Sequence, residues 1–266
     1  MAQLTDDQVA NAVAFLARAR ASEAPLPAFP EDCRPTTIDD AYRIAQATRS
    51  PADERPDGWK AGASSPAQVR DAGLATPPVA PLFAGVLRAS PADLDGAKYH
   101  RCVIEAEVAF RLAAGLPARA GPYTMAEVRD AVGDAHLVIE AVNFPFADGP
   151  AVGLPSIVAS GFAVGNLIIG PTIDDWAARD LRTLDVELLI DGERVARGLQ
   201  GDARCDPLGV LLAMANDLSA RGFGLEAGQV VTTGAAAAPT PARPGQTAAV
   251  RSAGVGEVVA RLSAGG

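Results

Sequence analysis

The sequence predicts an α+β fold in which a helical N-terminal segment, residues 1–75, precedes a sheet-forming core over residues 76–266. Three observations carry this expectation. Two capped helical stretches open the chain, strand patterns follow in runs from about Pro81, and two helices interrupt those runs instead of alternating with them as in a doubly wound sheet. With 266 residues, 48% of them hydrophobic, the chain can bury a sizeable core as one large domain with an appended segment.

Thr5-Asp6-Asp7-Gln8 has the spacing of a capping box, and Val9, Val13, Ala14 and Leu16 lie near one face, so the first helix begins here. The Pro-rich stretch from Pro25 to Pro35 ends it. Thr37 caps a second helix through Gln46, and Ser65-Pro66-Ala67-Gln68 caps a short third one that Gly73 can close. Strands are expected at 84–88, 102–112, 137–143, 156–169, 184–190, 229–233, 246–251 and 255–262, with helices near 125–133 and 206–221.

Composition excludes several function classes. Lys plus Arg number 23 against 32 Asp plus Glu, a net charge of −9, and no basic stripe occurs, which argues against nucleic acid and anionic membrane as partners. No apolar run approaches the ~18 residues of a spanning helix, and the N-terminus lacks the pattern of a signal peptide. Cys33, Cys102 and Cys205 are scattered without a C-x-x-C pair, as expected of free thiols in a reducing compartment, so the chain is expected to be soluble and cytoplasmic. His136, beside an apolar strand, is expected to be structural.

The chemistry concentrates in Val103-Ile104-Glu105-Ala106-Glu107-Val108. In an extended strand, Glu105 and Glu107 project to one side while Ile104, Ala106 and Val108 face the other. Adjacent carboxylates raise one another's pKa unless a cation or shared proton sits between them. Glu140, inside the apolar run Leu137-Val138-Ile139-Glu140-Ala141-Val142, is a third carboxylate that burial would penalise without compensation. Together the three suit a hard divalent ion, Mg²⁺ or Mn²⁺, although Glu-x-Glu alone is common on a wet strand face. Lys60, in Gly58-Trp59-Lys60-Ala61-Gly62, sits among small and apolar residues, where desolvation is expected to lower its pKa into the range of proton exchange unless it snorkels to the surface. Val230-Val231-Thr232-Thr233-Gly234 ends a strand in hydroxyls and a glycine, a place where main-chain N–H groups can meet a ligand carboxylate. No G-x-G-x-x-G precedes a helix, so no nucleotide site is expected.

In their order, Asp40-Ala41-Tyr42 with Gln46, Gly58 to Gly62, Pro81-Leu82-Phe83, Glu105-Ala106-Glu107, Glu140, Leu225 to Gly234 and Gly254-Val255-Gly256-Glu257-Val258 resemble the fumarylacetoacetate hydrolase superfamily. Within it the chain is most similar to the 2-keto-4-pentenoate hydratase and 4-oxalocrotonate decarboxylase branch. The resemblance runs from about residue 5 to residue 262. It implies mixed sheets rolled into a barrel-like core, Mg²⁺ or Mn²⁺ on Glu105, Glu107 and Glu140, Lys60 as acid/base, and Gly62, Ser160, Thr233 and Gly234 on the substrate. The implied reaction is hydration of a 2-hydroxy-dienoate to a 4-hydroxy-2-oxo acid. Decarboxylation of a 2-oxo dioate, tautomerisation, C–C hydrolysis and a non-catalytic keto-acid-binding paralogue are the alternatives. A homo-oligomer is expected, and because hydratase and decarboxylase chains of the family associate, so is compatibility with a pathway partner.

The chain departs from the family pattern in three places. Ala159-Ser160-Gly161 stands where the family usually shows Ala-Asp-Asn. Val142-Asn143-Phe144-Pro145-Phe146 lacks an arginine common in the hydrolases, and Thr76 to Pro81 carries prolines where hydratases often have an aspartate. The loss of polar groups leads to the expectation of a different or more apolar substrate tail.

Overall fold

Residues 3–21, 24–49 and 55–264 are described by the computed structural model. The helices are α1 (Asp6–Arg20), α2 (Ile38–Ala47), α3 (Pro66–Asp71), α4 (Met125–Ala131), α5 (Leu154–Ala159) and α6 (Pro207–Ala220). The strands are β1 (Gly58–Ala61), β2 (Val79–Leu82), β3 (Leu87–Ala89), β4 (Ala92–Leu94), β5 (Cys102–Leu112), β6 (Val132–Asn143), β7 (Asn166–Thr172), β8 (Val186–Ile190), β9 (Glu193–Arg197), β10 (Val230–Ala235), β11 (Thr240–Ala242), β12 (Thr247–Ser252) and β13 (Gly256–Leu262).

Two mixed sheets result, the α+β class that the sequence predicts. One runs β2-β1-β10-β5-β6-β7-β3, with β11 continuing the β10 edge of β5; the other runs β4-β13-β12-β8-β9. The sheets pack where β12 and β13 lie against β6 and β7. Strand periodicity sets the division of labour: Ile104, Ala106, Val108 and Phe110 of β5 and Leu137, Ile139 and Ala141 of β6 enter the main core with Val250, Val258 and Ala260. The opposite face of the same strands carries Glu105, Glu107, Val138 and Glu140.

The N-terminal helices meet that second face at Val142 of β6 and Ala80 of β2. Thr5 with Gln8 forms the anticipated capping box, the anticipated Ser65 cap proves to be a second box with Gln68, and Thr37 caps α2 through the Asp40 N–H. The buried stripe of α1 is Val9, Ala12 and Leu16, so Ala12 replaces the anticipated Ala14. It meets Ile44 of α2, Ile157 and Val158 of α5, and Phe29 and Phe146 in a separate apolar cluster.

Several expectations are corrected. The run 156–169, read as a strand, is α5, a tight turn and only then β7. Gly153 and Pro155 start a helix of six residues, and Gly161, Phe162 and Ala163, with φ of +97°, +60° and +54°, turn the chain. A short apolar run fits a buried helix as well as a strand. The strand anticipated at 84–88 begins at Leu87 because Gly85 turns with φ +86°. β1, β2, β4, β9 and β11 were not anticipated, since runs of three to five residues show too few alternations to read. β1 nevertheless pairs with β10 and β2 inside the large sheet.

Asp40 fastens α1 to α2. Its fully buried carboxylate accepts from the Leu4 N–H at 3.1 Å, the Thr37 hydroxyl at 3.0 Å and Arg43 at 3.1 Å. Removing it takes that acceptor from the Leu4 N–H and the Thr37 hydroxyl, while Arg43 keeps the Leu4 carbonyl and Asp6. Asp40→Ala is expected to cost roughly 2–4 kcal/mol, read as a lower urea midpoint at unchanged slope.

Candidate metal centre and active site

The register of β5 against β6 builds the acidic cluster. Glu105 lies directly opposite Glu140, and Glu107 opposite Val138, so the three carboxylates share one face of two adjacent strands. One oxygen from each lies within 4.8 Å of the others. Glu107 and Glu140 are buried and Glu105 is half-buried.

β10 flanks the other edge of β5 and is interrupted where it passes Glu107. Thr232 pairs with Ala109 and Ala235 with Glu107, which leaves Thr233 and Gly234 as a bulge. The bulge turns the Gly234 N–H onto Glu107 Oε2 at 2.9 Å, and the Thr232 hydroxyl donates to the same oxygen in a short hydrogen bond. Gly234 is required there twice over: its φ is +104°, and a Cβ would stand 1.8 Å from Ser64 Oγ. Ser64 in turn donates to the Thr233 carbonyl at 2.8 Å, and the Thr233 hydroxyl to the Val108 carbonyl at 2.8 Å.

Lys60 projects from β1, whose register places it beside Thr232. In a flat sheet β1 and β6 would stand roughly 14 Å apart, and side chains perpendicular to it would not meet. The sheet curls, and Lys60 Nζ forms a short, buried ion pair with Glu140 Oε1. Its second acceptor is the Phe162 carbonyl at 3.3 Å, and the Phe162 ring centroid lies 5.1 Å from Nζ.

Three carboxylates against one ammonium leave a deficit of two positive charges, the charge of one divalent cation. Burial, then the charge of Glu140, pushes the Glu105 pKa up to about 7. Burial, then Glu140 and Glu105, raises Glu107 well above its ordinary value against the opposing hydrogen bonds from Thr232 and Gly234. Glu107 Oε1 is buried with no hydrogen-bond partner, the kind of orphan that a cation would satisfy. The donor set is all oxygen, which suits a hard divalent ion. One expectation about Lys60 is reversed: burial favours a lowered pKa, but Glu140, Glu105 and Glu107 outweigh it and hold the ammonium above its ordinary value.

The structure therefore brings Glu105, Glu107, Glu140 and Lys60 together and sets Thr233 and Gly234 behind Glu107. Ser160 stands apart in its contacts: its hydroxyl donates to the Ile157 carbonyl at 2.9 Å and its own carbonyl accepts from Arg20 at 2.9 Å. Gly62 faces Phe162, where a Cβ would approach the ring tip to 2.5 Å. His136 Nδ1 meets the Gly170 carbonyl at 3.2 Å, the structural role anticipated for it. Thr232 and Phe162 were missed. Thr232 could have been found by the two-residue period of β10, which sets it on one face with Val230, whereas nothing in sequence marks Phe162.

Beside the cluster, a cavity of about 560 Å³ opens between α2, the β1–β2 edge and the end of α6. Tyr42, Trp59, Phe83 and Phe223 supply aromatic wall, and Arg20, Arg49 and Arg221 the positive charge. Lys60 and the three glutamates do not line it.

Comparison with known proteins agrees with this architecture. No family model matches the chain. A 4-oxalocrotonate decarboxylase of Pseudomonas putida is 30% identical over 237 residues, 85% of this chain and 86% of that one. A 2-keto-4-pentenoate hydratase of Burkholderia vietnamiensis strain G4 is 28% identical over 261 residues, 97% and 98% of the two chains. The solved structure of 4-oxalocrotonate decarboxylase from Pseudomonas putida G7, complexed with calcium and acetate, superposes with a TM-score of 0.82 at 26% identity, covering 98% of this chain and 100% of that one.

The raised Glu105 pKa has a testable sign. In metal-free protein the native state holds a proton on Glu105 that the unfolded chain releases near the ordinary carboxylate pKa, so this residue's contribution to stability falls as pH rises from about 4.5 to about 7. Urea midpoints of the wild type, referenced to Glu105→Gln, are expected to fall across that window. Saturating Mg²⁺ is expected to reverse the fall.

Proposed function

Since the chain belongs to the fumarylacetoacetate hydrolase superfamily, in the branch of 2-keto-4-pentenoate hydratases and 4-oxalocrotonate decarboxylases, we propose that it is a lyase that hydrates a 2-hydroxy-dienoate to a 4-hydroxy-2-oxo acid. The observation that carries the reading is the carboxylate triad, two of its members buried, with its orphaned Glu107 oxygen, beside a buried lysine. Glu105, Glu107 and Glu140 would hold Mg²⁺ or Mn²⁺, which when bound supplies Lewis-acid stabilisation of the charge developing on a 2-oxo acid.

The chain's own residues supply the rest. Thr232 and the Gly234 N–H fix one oxygen of Glu107 and leave the other directed to the site. Lys60, held by Glu140 and the Phe162 carbonyl, keeps a proton on Nζ and is placed to deliver it as the enol becomes the keto acid. Gly62, Thr233 and Gly234 stand beside the substrate in this reading, and Ser160, its hydroxyl bonded to the Ile157 carbonyl, contributes shape instead of a hydrogen bond. Phe162, buried against Lys60, keeps bulk water from the lysine on that side.

Decarboxylation of a 2-oxo dioate is the second reading, because the relatives carry both names. Departing CO₂ would leave its electron pair in the same sink. Among the described residues no helix is long and apolar enough to cross a membrane. A cytoplasmic homo-oligomer is the setting this reading expects.

The deciding experiment is a proton NMR time course of fresh 2-hydroxypenta-2,4-dienoate with enzyme and Mg²⁺, beside an EDTA-treated control. Metal-dependent formation of the 4-hydroxy-2-oxo acid supports hydration; only spontaneous ketonisation refutes it. Glu107→Gln is expected to weaken Mg²⁺ binding, measured by calorimetry, by more than the roughly 10–100-fold loss that Thr232→Val should cause by removing a supporting hydrogen bond. Lys60→Gln is expected to retain the metal and lose about 10²–10⁴-fold in kcat.

A further inference from the structure

The turn between α5 and β7 is unusual in the conformation it imposes on a large side chain. Gly161, Phe162 and Ala163 follow one another at φ +97°, +60° and +54°. Glycine adopts such angles freely, but a bulky residue there is an outlier whose cost must be met by surrounding contacts. The contacts of Phe162 converge on one place. Its carbonyl accepts from Lys60 Nζ at 3.3 Å, its ring centroid lies 5.1 Å from the same nitrogen, and its ring tip presses on Gly62, where a Cβ would come within 2.5 Å. The ring is 5% exposed.

The residues around Phe162 on the same segment look the other way. Val158, Gly161 and Val164 line the cavity of about 560 Å³, as does Ala80, the register partner of Lys60 on β2. Phe162 itself does not line it. The segment is thus a wall with two sides: the aromatic ring on the side of Lys60 and the glutamates, small and aliphatic groups on the side of the cavity. Ala80, adjacent to Lys60 yet open to the cavity, shows how thin the division is. A phenyl ring is the largest side chain on this wall.

We propose that Phe162 is a specificity-determining residue that closes the carboxylate site toward the cavity and so restricts the site to 2-oxo acids with short tails. The proposal rests on the reading that a 2-oxo acid binds at Glu105, Glu107 and Glu140 with a divalent metal. The strained backbone is what aims the ring inward; at ordinary negative φ the side chain would leave Gly62 and Lys60.

The test compares pyruvate, which has only the chelating head, with 2-oxooctanoate, which adds an apolar tail, by calorimetry on the full chain saturated with Mg²⁺. Wild type is expected to bind pyruvate and to discriminate against 2-oxooctanoate. Phe162→Ala is expected to tighten 2-oxooctanoate binding by about tenfold or more while pyruvate stays within about twofold, and Phe162→Leu, which restores bulk, to recover the discrimination. If wild type binds both acids equally, or if Phe162→Ala moves both alike, Phe162 does not set tail length. If pyruvate fails to bind wild type with Mg²⁺, or binds as well in EDTA, the glutamate-site reading fails and the proposal with it. Should Phe162→Ala not fold, Phe162→Gly, which suits the φ of +60°, gives the same comparison.

Discussion

Three carboxylates held within 4.8 Å of one another, two of them buried, set a condition that the surrounding structure has to meet. Like charges at this spacing in a dry site cannot all ionise unless positive charge is brought to them. The chain supplies one such charge from Lys60, and the curl of the large sheet is what makes the delivery possible, because β1 and β6 are separated by β10 and β5. A β-bulge supplies two further donors to Glu107 at the one point where the ladder is interrupted. What remains unbalanced is a deficit suited to one divalent ion.

Much of this was legible in the residues. Period two put Glu105 and Glu107 on one face, the cost of an unpaired carboxylate singled out Glu140, and flanking glycines singled out Lys60. Helix starts were equally readable, because Thr5, Thr37 and Ser65 announce themselves through side chains that bond their own backbone. Pairing was not legible. That Glu105 faces Glu140 depends on strand register, which local sequence does not encode. The direction of the Lys60 shift failed for the same reason: desolvation could be judged from neighbours in sequence, whereas the opposing carboxylates come from strands far along the chain.

The turn at Gly161 to Ala163 marks the other limit. An apolar run of Ile157, Val158, Phe162 and Val164 satisfies strand and helix alike, and only tertiary packing of α5 against α2 decides between them. The consequence reaches the chemistry. Where the resemblance implies Asp-Asn, this chain has Ser160 and Gly161, and Ser160 spends its hydroxyl on its own helix. Polar function on that wall is thereby exchanged for shape, contributed by Phe162.

The bond from Gly234 to Glu107 also makes the bulge a reporter. A backbone amide that donates to a carboxylate instead of a ladder carbonyl has its proton resonance set by the charge on that carboxylate. Gly234 lies in the bulge of β10, where its conformation is fixed at φ +104°, so a change of charge on Glu107 shifts its amide signal. A single glycine peak in a ¹⁵N-correlated spectrum can therefore track the electrical state of the buried site, with no label on any acidic residue.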